Sequence, residues 1–289
     1  MKVLVTGANG QLGSDLCKAL HEVEVVPLTH ADIEITDMDS VKSNVAQHCP
    51  DVIINTAAYV RVDDCEIERD RAFAVNALGA RNLAVAAQET GCKIVQISTD
   101  YVFGGGRPPE SGNYTEFDHP APINIYGISK LAGEDIVRSL CLKHFIVRTC
   151  GLFGVAGSSG KGGNFVETIL KLASKNDEIK VVSDQILSPS YTLDVADKIA
   201  KLITTEYYGI FHIVNSGACS WFEFAEQIVK MKRLKTQVLP ISSDQYPQKA
   251  KRPQFSALDS YHLKLLGMGQ MRSWQEALKA YMISKGHFK

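Results

Sequence analysis

The sequence predicts an α/β fold: a doubly wound parallel sheet joined to a smaller mixed α/β region. Three observations carry this. Short β-rich runs alternate with longer helical stretches through the first half of the 289 residues. Runs such as Val52-Ile53-Ile54 are apolar without alternation, which suits strands buried on both faces. The first strand passes directly into a glycine turn and a helix.

Taken in order, Val3-Leu4-Val5 reads as the first strand, followed by the turn Gly7 to Gly13 and a helix through Leu16 and Leu20. Val23 to Leu28, Val52 to Ile54, Ile94 to Ile97 and Phe145 to Val147 are the next four strands. Alanine-rich Arg71 to Ala87 predicts a helix, and so does Tyr126 to Leu140. Beyond about residue 150 the rhythm changes at a glycine-rich stretch, Gly154 to Gly163. Helices are expected at Phe165 to Ala173, Leu193 to Ile203 and Phe222 to Met231. Ser220-x-x-Glu223 and Ser273-x-x-Glu276 fit capping boxes at two helix starts. Residues 1–150 are therefore expected to form one unit, and 151–289 a second with segments returning to the first.

Hydrophobic residues make up 45% and charged residues 22%, the balance of a soluble globular protein. A net charge of −1 without a long basic run argues against a nucleic-acid or membrane-surface footprint. No apolar stretch is long enough to span a bilayer, and the N-terminus enters a strand pattern at once, without a signal-peptide layout. The seven cysteines stand singly and read as reduced thiols of a cytoplasmic protein, with no metal-ligand spacing.

Four motifs carry chemistry. Gly7-Ala8-Asn9-Gly10-Gln11-Leu12-Gly13 lies between a strand and a helix, which makes it a phosphate-binding turn. Glycines permit the close approach of a pyrophosphate, and the helix N-terminus supplies free N–H groups. A carboxylate ending the second strand would hold an adenosine ribose and select NAD(H). Here the segment reads Pro27-Leu28-Thr29-His30, with no acid before Asp32 and Glu34, which leans toward NADP(H). Glu34 and Ile35 are expected to border the adenine. Asn55-Thr56-Ala57-Ala58-Tyr59 follows the third strand with small residues that let a cofactor lie against the backbone. Ser98-Thr99-Asp100-Tyr101 follows the fourth, at the same sheet edge. Gly154 to Lys161 looks like a second phosphate loop but has Gly162 where Ser or Thr is needed. The stretch 154–163 reads either as a lid over substrate or as a surface loop.

The fourth motif is Tyr126-x-x-x-Lys130, which places a phenol and an ammonium on one helix face. Alone the pair is commonplace on amphipathic helices. Beside a dinucleotide turn and the Thr99 hydroxyl it becomes machinery for moving a proton to or from a carbonyl oxygen. The ammonium is expected to lower the tyrosine pKa toward the working pH.

With these motifs in order, the chain resembles the extended short-chain dehydrogenase/reductases, and within them the dTDP-4-dehydrorhamnose reductases. The resemblance runs over nearly the whole chain. It rests on Gly7 to Gly13, Asn55 to Tyr59, Val62-Asp63, Asn76, Ser98 to Phe103 and Tyr126-Gly127-x-x-Lys130-Leu131-Ala132-Gly133-Glu134. Further on it includes Arg148-Thr149, Asn164-Phe165, Asp184-Gln185, Ser188-Pro189 and Arg252-Pro253.

The resemblance implies a Rossmann-type NAD(P)-binding domain over 1–150 and a mainly substrate-binding region over 151–289. It implies that Tyr126 donates a proton to the C4 oxygen of a nucleotide-linked 4-keto-6-deoxyhexose. Lys130 then holds the nicotinamide ribose, Thr99 polarises the carbonyl and Asp100 contacts the sugar. Gly7, Asn9, Gly10, Gln11, Leu12, Thr29, His30, Ala57, Ala58, Tyr59, Asn76 and Ser98 are implied at the cofactor. Asn164, Phe165, Gln185 and Arg252 are implied at the nucleotide diphosphate. Where the family usually has Ser-Trp after Arg-Thr, with the tryptophan against the sugar, this chain has Cys150-Gly151. A wider, less polar pocket and an open choice of sugar follow. The family's magnesium site at a dimer contact uses carboxylates; Asp15 is the nearest candidate, and no residue is assigned to a metal. A homodimer is compatible with that contact.

Three alternatives share the fold. A nucleotide-sugar 4,6-dehydratase needs an acid after Thr99-Asp100, where Tyr101 stands. A 3,5-epimerase/reductase needs an acid–base pair such as Cys and His, and nothing brings Cys150 and His119 together. A non-catalytic NADP-binding regulatory subunit, like that of methionine adenosyltransferase, retains Tyr and Lys and is separated by lack of turnover.

Overall fold

The computed structural model describes residues 1–289 except 107, 111, 158–162, 247 and 289. The centre of the glycine-rich stretch, on which the lid expectation falls, thus lies outside the described residues.

Five strands of the first half build most of a six-stranded sheet: β1 (Lys2–Thr6), β2 (Glu24–Leu28), β3 (Val52–Asn55), β4 (Lys93–Thr99) and β5 (His144–Thr149). The sixth, Gly209–His212, joins alongside β5. Every pairing is parallel, in the order Gly209–His212, β5, β4, β3, β1, β2. The direction of winding reverses beyond β1, between the β1–β2 and β1–β3 connections, so the C-terminal ends of β1, β3 and β4 open onto a crevice.

Alternate residues of each strand serve opposite faces. Val3, Val5, Val52, Ile54, Val95 and Ile97 pack under helix α1 (Gln11–Ala19) and the helix Thr192–Leu202. Leu4, Ile53, Ile94 and Ile146 pack under the helices Met38–His48, Ala80–Thr90 and Ile125–Leu140. Both faces are apolar because both are covered. The helix Thr192–Leu202 and the strand Gly209–His212 come from beyond residue 150, yet complete this first layer system.

The second half adds its own core around Phe153, Ile169, Phe224 and Tyr281, the last fully buried on the helix Trp274–Ser284. Three two-stranded pairings tie it together: Glu178–Val182 with Gln237–Ile241, Ile186–Leu187 with Cys219–Ser220, and Leu152–Phe153 with Ser190–Tyr191. Both expected capping boxes are made, Ser220 with Glu223 and Ser273 with Glu276.

One element departs from expectation. Arg71 to Ala87 is not a single α-helix. An α turn, Arg69–Phe73, leads into a π segment, Ala74–Gly79, before α structure resumes over Ala80–Thr90. Buried Asn76 lies in the π segment, and its amide accepts from Tyr59 N at 2.9 Å and donates to Tyr59 O at 3.1 Å. The widened turn brings a helix residue against a loop backbone, a tertiary demand invisible to helix periodicity. Among the described residues, no helix is long and apolar enough to cross a membrane.

Candidate active site

A cleft of about 910 Å³ runs along the C-terminal edge of β1, β3 and β4. At one end lies the glycine turn. Gly7 has φ +66°, and a Cβ there would stand 2.8 Å from Thr56 Oγ1 and 2.9 Å from Ala57 N. The turn and the Thr56-Ala57 strand end are thus in direct backbone contact, a fit that glycine alone allows. Gly10 N donates to Gly7 O at 2.9 Å, and Gly10 caps α1 without a side chain, so the helix's first N–H groups face the cleft uncovered. Gln11 Nε2 donates to Leu152 O at 3.2 Å, while its Oε1 is buried with no partner among the described residues. A glycine cradle with the free N–H groups of a helix N-terminus fits a dinucleotide pyrophosphate, while the Gln11 amide oxygen, an acceptor, would be satisfied by a donor such as a ribose hydroxyl.

Thr29, His30, Glu34 and Ile35 line the same cleft beyond β2. Asp32 is turned away onto Thr29, accepting from its N at 2.8 Å and its Oγ1 at 2.7 Å. Those bonds hold its carboxyl below the usual range. Glu34 is engaged by the Thr36 N–H and hydroxyl, and its carboxylate lies 3.5 Å from His30 Nδ1. Asn9, Leu12, Ala57, Ala58 and Tyr59 also line the cleft, as do Ser98, Thr99, Tyr126 and Lys130.

The strand ends are fixed by a buried amide ladder. Thr6 Oγ1 donates to Asn55 Oδ1 at 2.7 Å, and Asn55 Nδ2 donates to Gln96 Oε1 at 2.8 Å. These bonds cross β1, β3 and β4 and pin the loops that follow.

The reacting groups sit at the end of β4. Asn124 caps the helix Ile125–Leu140 by accepting from Gly127 N at 2.8 Å, which sets Tyr126 and Lys130 in its first turns. Tyr126 is hydrogen-bonded to Thr99. Burial pushes the Tyr126 hydroxyl well above its ordinary pKa, with the Thr99 bond opposing and the Asp100 charge adding. Lys130 Nζ donates to Ile97 O at 2.6 Å, and burial lowers its pKa to about 8, against the pull of Glu134. The expected lowering of the tyrosine by the ammonium is therefore not what the structure has. Desolvation dominates, and Tyr126 is held as a neutral phenol, the form that donates a proton.

Behind these groups lies a fully buried network that the motifs did not reveal. Ser98 Oγ donates to Glu134 Oε1. Glu134 pairs with Arg148, Nη2 to Oε2 at 2.7 Å and Nε to Oε1 at 3.0 Å, and both side chains are essentially inaccessible. Arg148 Nη1 lies 3.4 Å from His212 Nε2, and its guanidinium lies over the Phe103 ring. His212 Nδ1 faces the carbonyls of Tyr114 and Asp259, and burial lowers its pKa to about 3. The imidazole is thus neutral, with Nδ1 donating and Nε2 accepting from Arg148.

Four of the expected contact residues are bonded within the protein. Asn76 does not line the cleft; its amide braces the Tyr59 backbone and donates to Ser129 Oγ at 3.0 Å. Arg252 is forked onto Asp63, at 2.8 and 3.2 Å, and is hydrogen-bonded to Tyr101, a strut beside the cleft and not one of its lining residues. Asn164 lines the cleft, but its amide is consumed by Glu167 N, Gly154 O and Tyr281 Oη. Asp100 also lines it, yet its carboxylate is bonded to Thr99 Oγ1 at 3.0 Å, Ser256 Oγ at 2.6 Å and the Cys150 thiol. Burial raises the Asp100 pKa. Phe165 and Gln185 do line the cleft. His119 is exposed, and Cys150 is buried against Asp100 and Ser188 N, so they form no pair. Asp15 is buried and accepts from Thr192 Oγ1 at 2.5 Å and from Lys18.

At Gly151 (φ +50°) a Cβ would stand 2.7 Å from Leu187 Cδ1 and 3.7 Å from Trp221 Cη2. The space next to position 151 is lined from other elements, by Leu187 and Trp221. Leu187, Trp221 and Ser256, all at the cleft, were missed. The Ser220 capping box located the start of Trp221's helix but not the direction it faces.

The RmlD substrate binding domain family matches residues 1–285. The chain belongs to the dTDP-4-dehydrorhamnose reductase family. Membership makes it a nicotinamide-dependent oxidoreductase with a Rossmann-type fold. It is 43% identical over 284 residues to the spore coat polysaccharide biosynthesis protein SpsK of Bacillus subtilis, covering 97% of this chain and 96% of that one. It is 40% identical to the dTDP-4-dehydrorhamnose reductase of Aggregatibacter actinomycetemcomitans, covering 96% of this chain and 97% of the other. A crystal structure of dTDP-4-dehydrorhamnose reductase from Bacillus anthracis in complex with NADP superposes with a TM-score of 0.92 at 47% identity, covering 98% of this chain and 99% of that chain.

Proposed function

We propose that this protein reduces the C4 keto group of a nucleotide-linked 4-keto-6-deoxyhexose, dTDP-4-dehydrorhamnose being the substrate favoured, with NADPH preferred over NADH. The observation that carries the reading is the neutral Tyr126 phenol hydrogen-bonded to Thr99 in the cleft that begins at the glycine turn.

The cofactor supplies a hydride when bound; the chain supplies position and a proton. Gly7, Gly10 and Gln11 would hold the pyrophosphate, with Ala57, Ala58 and Tyr59 along the backbone. Thr29 and His30 would take the adenosine end, where the exposed imidazole and the sequestered Asp32 tolerate a ribose phosphate. Tyr126 donates its proton to the carbonyl oxygen as negative charge grows there, and Thr99 shares that bond. Lys130 stabilises the resulting phenolate, an interaction strengthened by the low dielectric around it. Residues 1–150 serve the cofactor and 151–289 mainly the substrate. No metal is required by these steps, and buried Asp15 offers no open carboxylate for one.

The test is NADPH oxidation against a panel of dTDP- and GDP-linked 4-keto-6-deoxy sugars, with product stereochemistry read by NMR. Turnover of a dTDP-linked keto sugar is expected. Tight NADPH binding with no oxidation against the whole panel would sink the reading and favour a regulatory, non-catalytic role.

A further inference from the structure

The cleft has an aromatic corner that the proton and cofactor chemistry does not use. The Phe165 and Trp221 rings meet with centroids 4.4 Å apart and planes inclined by 44°. Both residues line the cleft and both are partly exposed. Two large aromatic side chains open side by side in a cleft offer an apolar face to a ligand.

A second observation points the same way. Gln185 lines the same cleft, and its side-chain amide is bonded to no other described residue and is open to the cleft. An amide left open in a cleft offers both a donor and an acceptor to a ligand. An aromatic face beside a free amide suits a ring with an apolar face and a polar edge, which describes a hexose.

The position of Trp221 is dictated by the fold. Ser220 pairs with Ile186, and Cys219 with Leu187, in a two-stranded ladder. The ladder delivers the first residue of the capped helix Trp221–Lys232 beside Leu187. The indole edge reaches 3.7 Å from the point a Gly151 Cβ would occupy, and Leu187 comes within 2.7 Å of that point. A side chain at position 151 would have to displace the end of Leu187. The positive φ of Gly151 also disfavours one.

We infer that Trp221, with Gln185 at its side, forms the wall against which the hexose of the substrate lies, and that Trp221 is a specificity-determining residue. This rests on the nucleotide-sugar reading above and names the part of the site that reads the sugar.

Trp221→Ala and Trp221→Phe are compared with wild type in the NADPH-dependent reduction of a dTDP-4-keto-6-deoxyhexose, alongside NADPH binding. Trp221→Ala is expected to raise KM about tenfold or more, with NADPH affinity within twofold and kcat changed far less. Trp221→Phe is expected to recover most of the loss. Wild-type KM in Trp221→Ala would overturn the inference.

The chain has two tryptophans, and Trp274 is buried in the second core. In Trp274→Phe, emission therefore reports on Trp221 alone. Saturable change on adding dTDP-rhamnose, absent with dTDP, is expected. Identical responses to the two, or none, would overturn the wall whether or not Trp221→Ala folds. Wild-type protein that turns over no keto sugar counts against the reaction proposed above. The same titration, extended to UDP-hexoses, still decides the wall.

Discussion

The two ends of the cleft are built on opposite plans. The reacting end stands on consecutive strand ends and one helix, braced from below by Ser98, Glu134, Arg148 and His212, all within 3% of full burial. The wall proposed for the sugar is assembled from short, separate segments around Gly151, Phe165, Gln185, Leu187 and Trp221. The first plan fixes a proton donor to within a hydrogen bond. The second lets individual wall residues change without moving the donor. If the proposed roles hold, chemistry and sugar choice rest on different parts of the chain.

The largest expected effect breaks the reacting end alone. Tyr126→Phe should lower kcat by roughly 10²- to 10⁴-fold, the usual worth of a positioned proton donor, with melting temperature and NADPH affinity little changed. Steady-state kinetics checks this, and wild-type kcat would refute the donor assignment.

Next comes the brace. Arg148→Met strands Glu134 without its buried partner and should destabilise the fold by about 3–5 kcal/mol in urea titration. A loss below about 1 kcal/mol would show that the buried pair does not brace the reacting end.

Gly7→Ala probes the cofactor cradle. Its left-handed φ and the 2.8 Å approach to Thr56 predict a cost of about 1–2 kcal/mol and weaker NADPH binding by fluorescence titration. The Trp221 signal should be unaffected if the two ends are separate.

The smallest effects are in pH. His212 has a folded pKa of about 3 against an ordinary 6.5, so the unfolded chain binds a proton that the folded chain refuses between those values. Its contribution is present above pH 6.5 and is lost as pH falls toward 3. His212→Asn should flatten the acid limb of the melting temperature by up to about one proton. Lys130 carries the reverse sense. Its ammonium is lost as pH rises through about 8, so kcat/KM should fall there. Between pH 8 and 10.5 the unfolded chain still binds that proton, so stability from this group rises with pH. Lys130→Met should remove both features, read by a pH–rate profile and a pH–melting series.

Much of the reacting end was legible because its residues are local. A glycine turn after a strand, Ser98-Thr99 after another and Tyr126 with Lys130 one turn apart each announce themselves within a few positions. The Arg148 partnership was not legible. It joins β5 to the helix before it and to His212, 64 positions on, through burial that no spacing encodes. Arg252 was placed by its neighbours in sequence, yet Asp63, 189 positions away, holds it. Asn76, expected at the cofactor, lies in the π segment with its amide bonded to the Tyr59 backbone, 17 positions away.

Five of the six sheet strands, their apolar runs, the glycine turn before the first helix and the Tyr126–Lys130 pair could be read from the chain alone, because strand and helix periodicity and turn chemistry are local properties. The tertiary structure decided three things. It set the protonation of Tyr126 and Lys130, because desolvation depends on every group packed around them. It committed Asn164, Asp100 and Arg252 to partners inside the protein. It placed Trp221 where Gly151 has no side chain to offer, since which distant residue fills a gap is settled by packing.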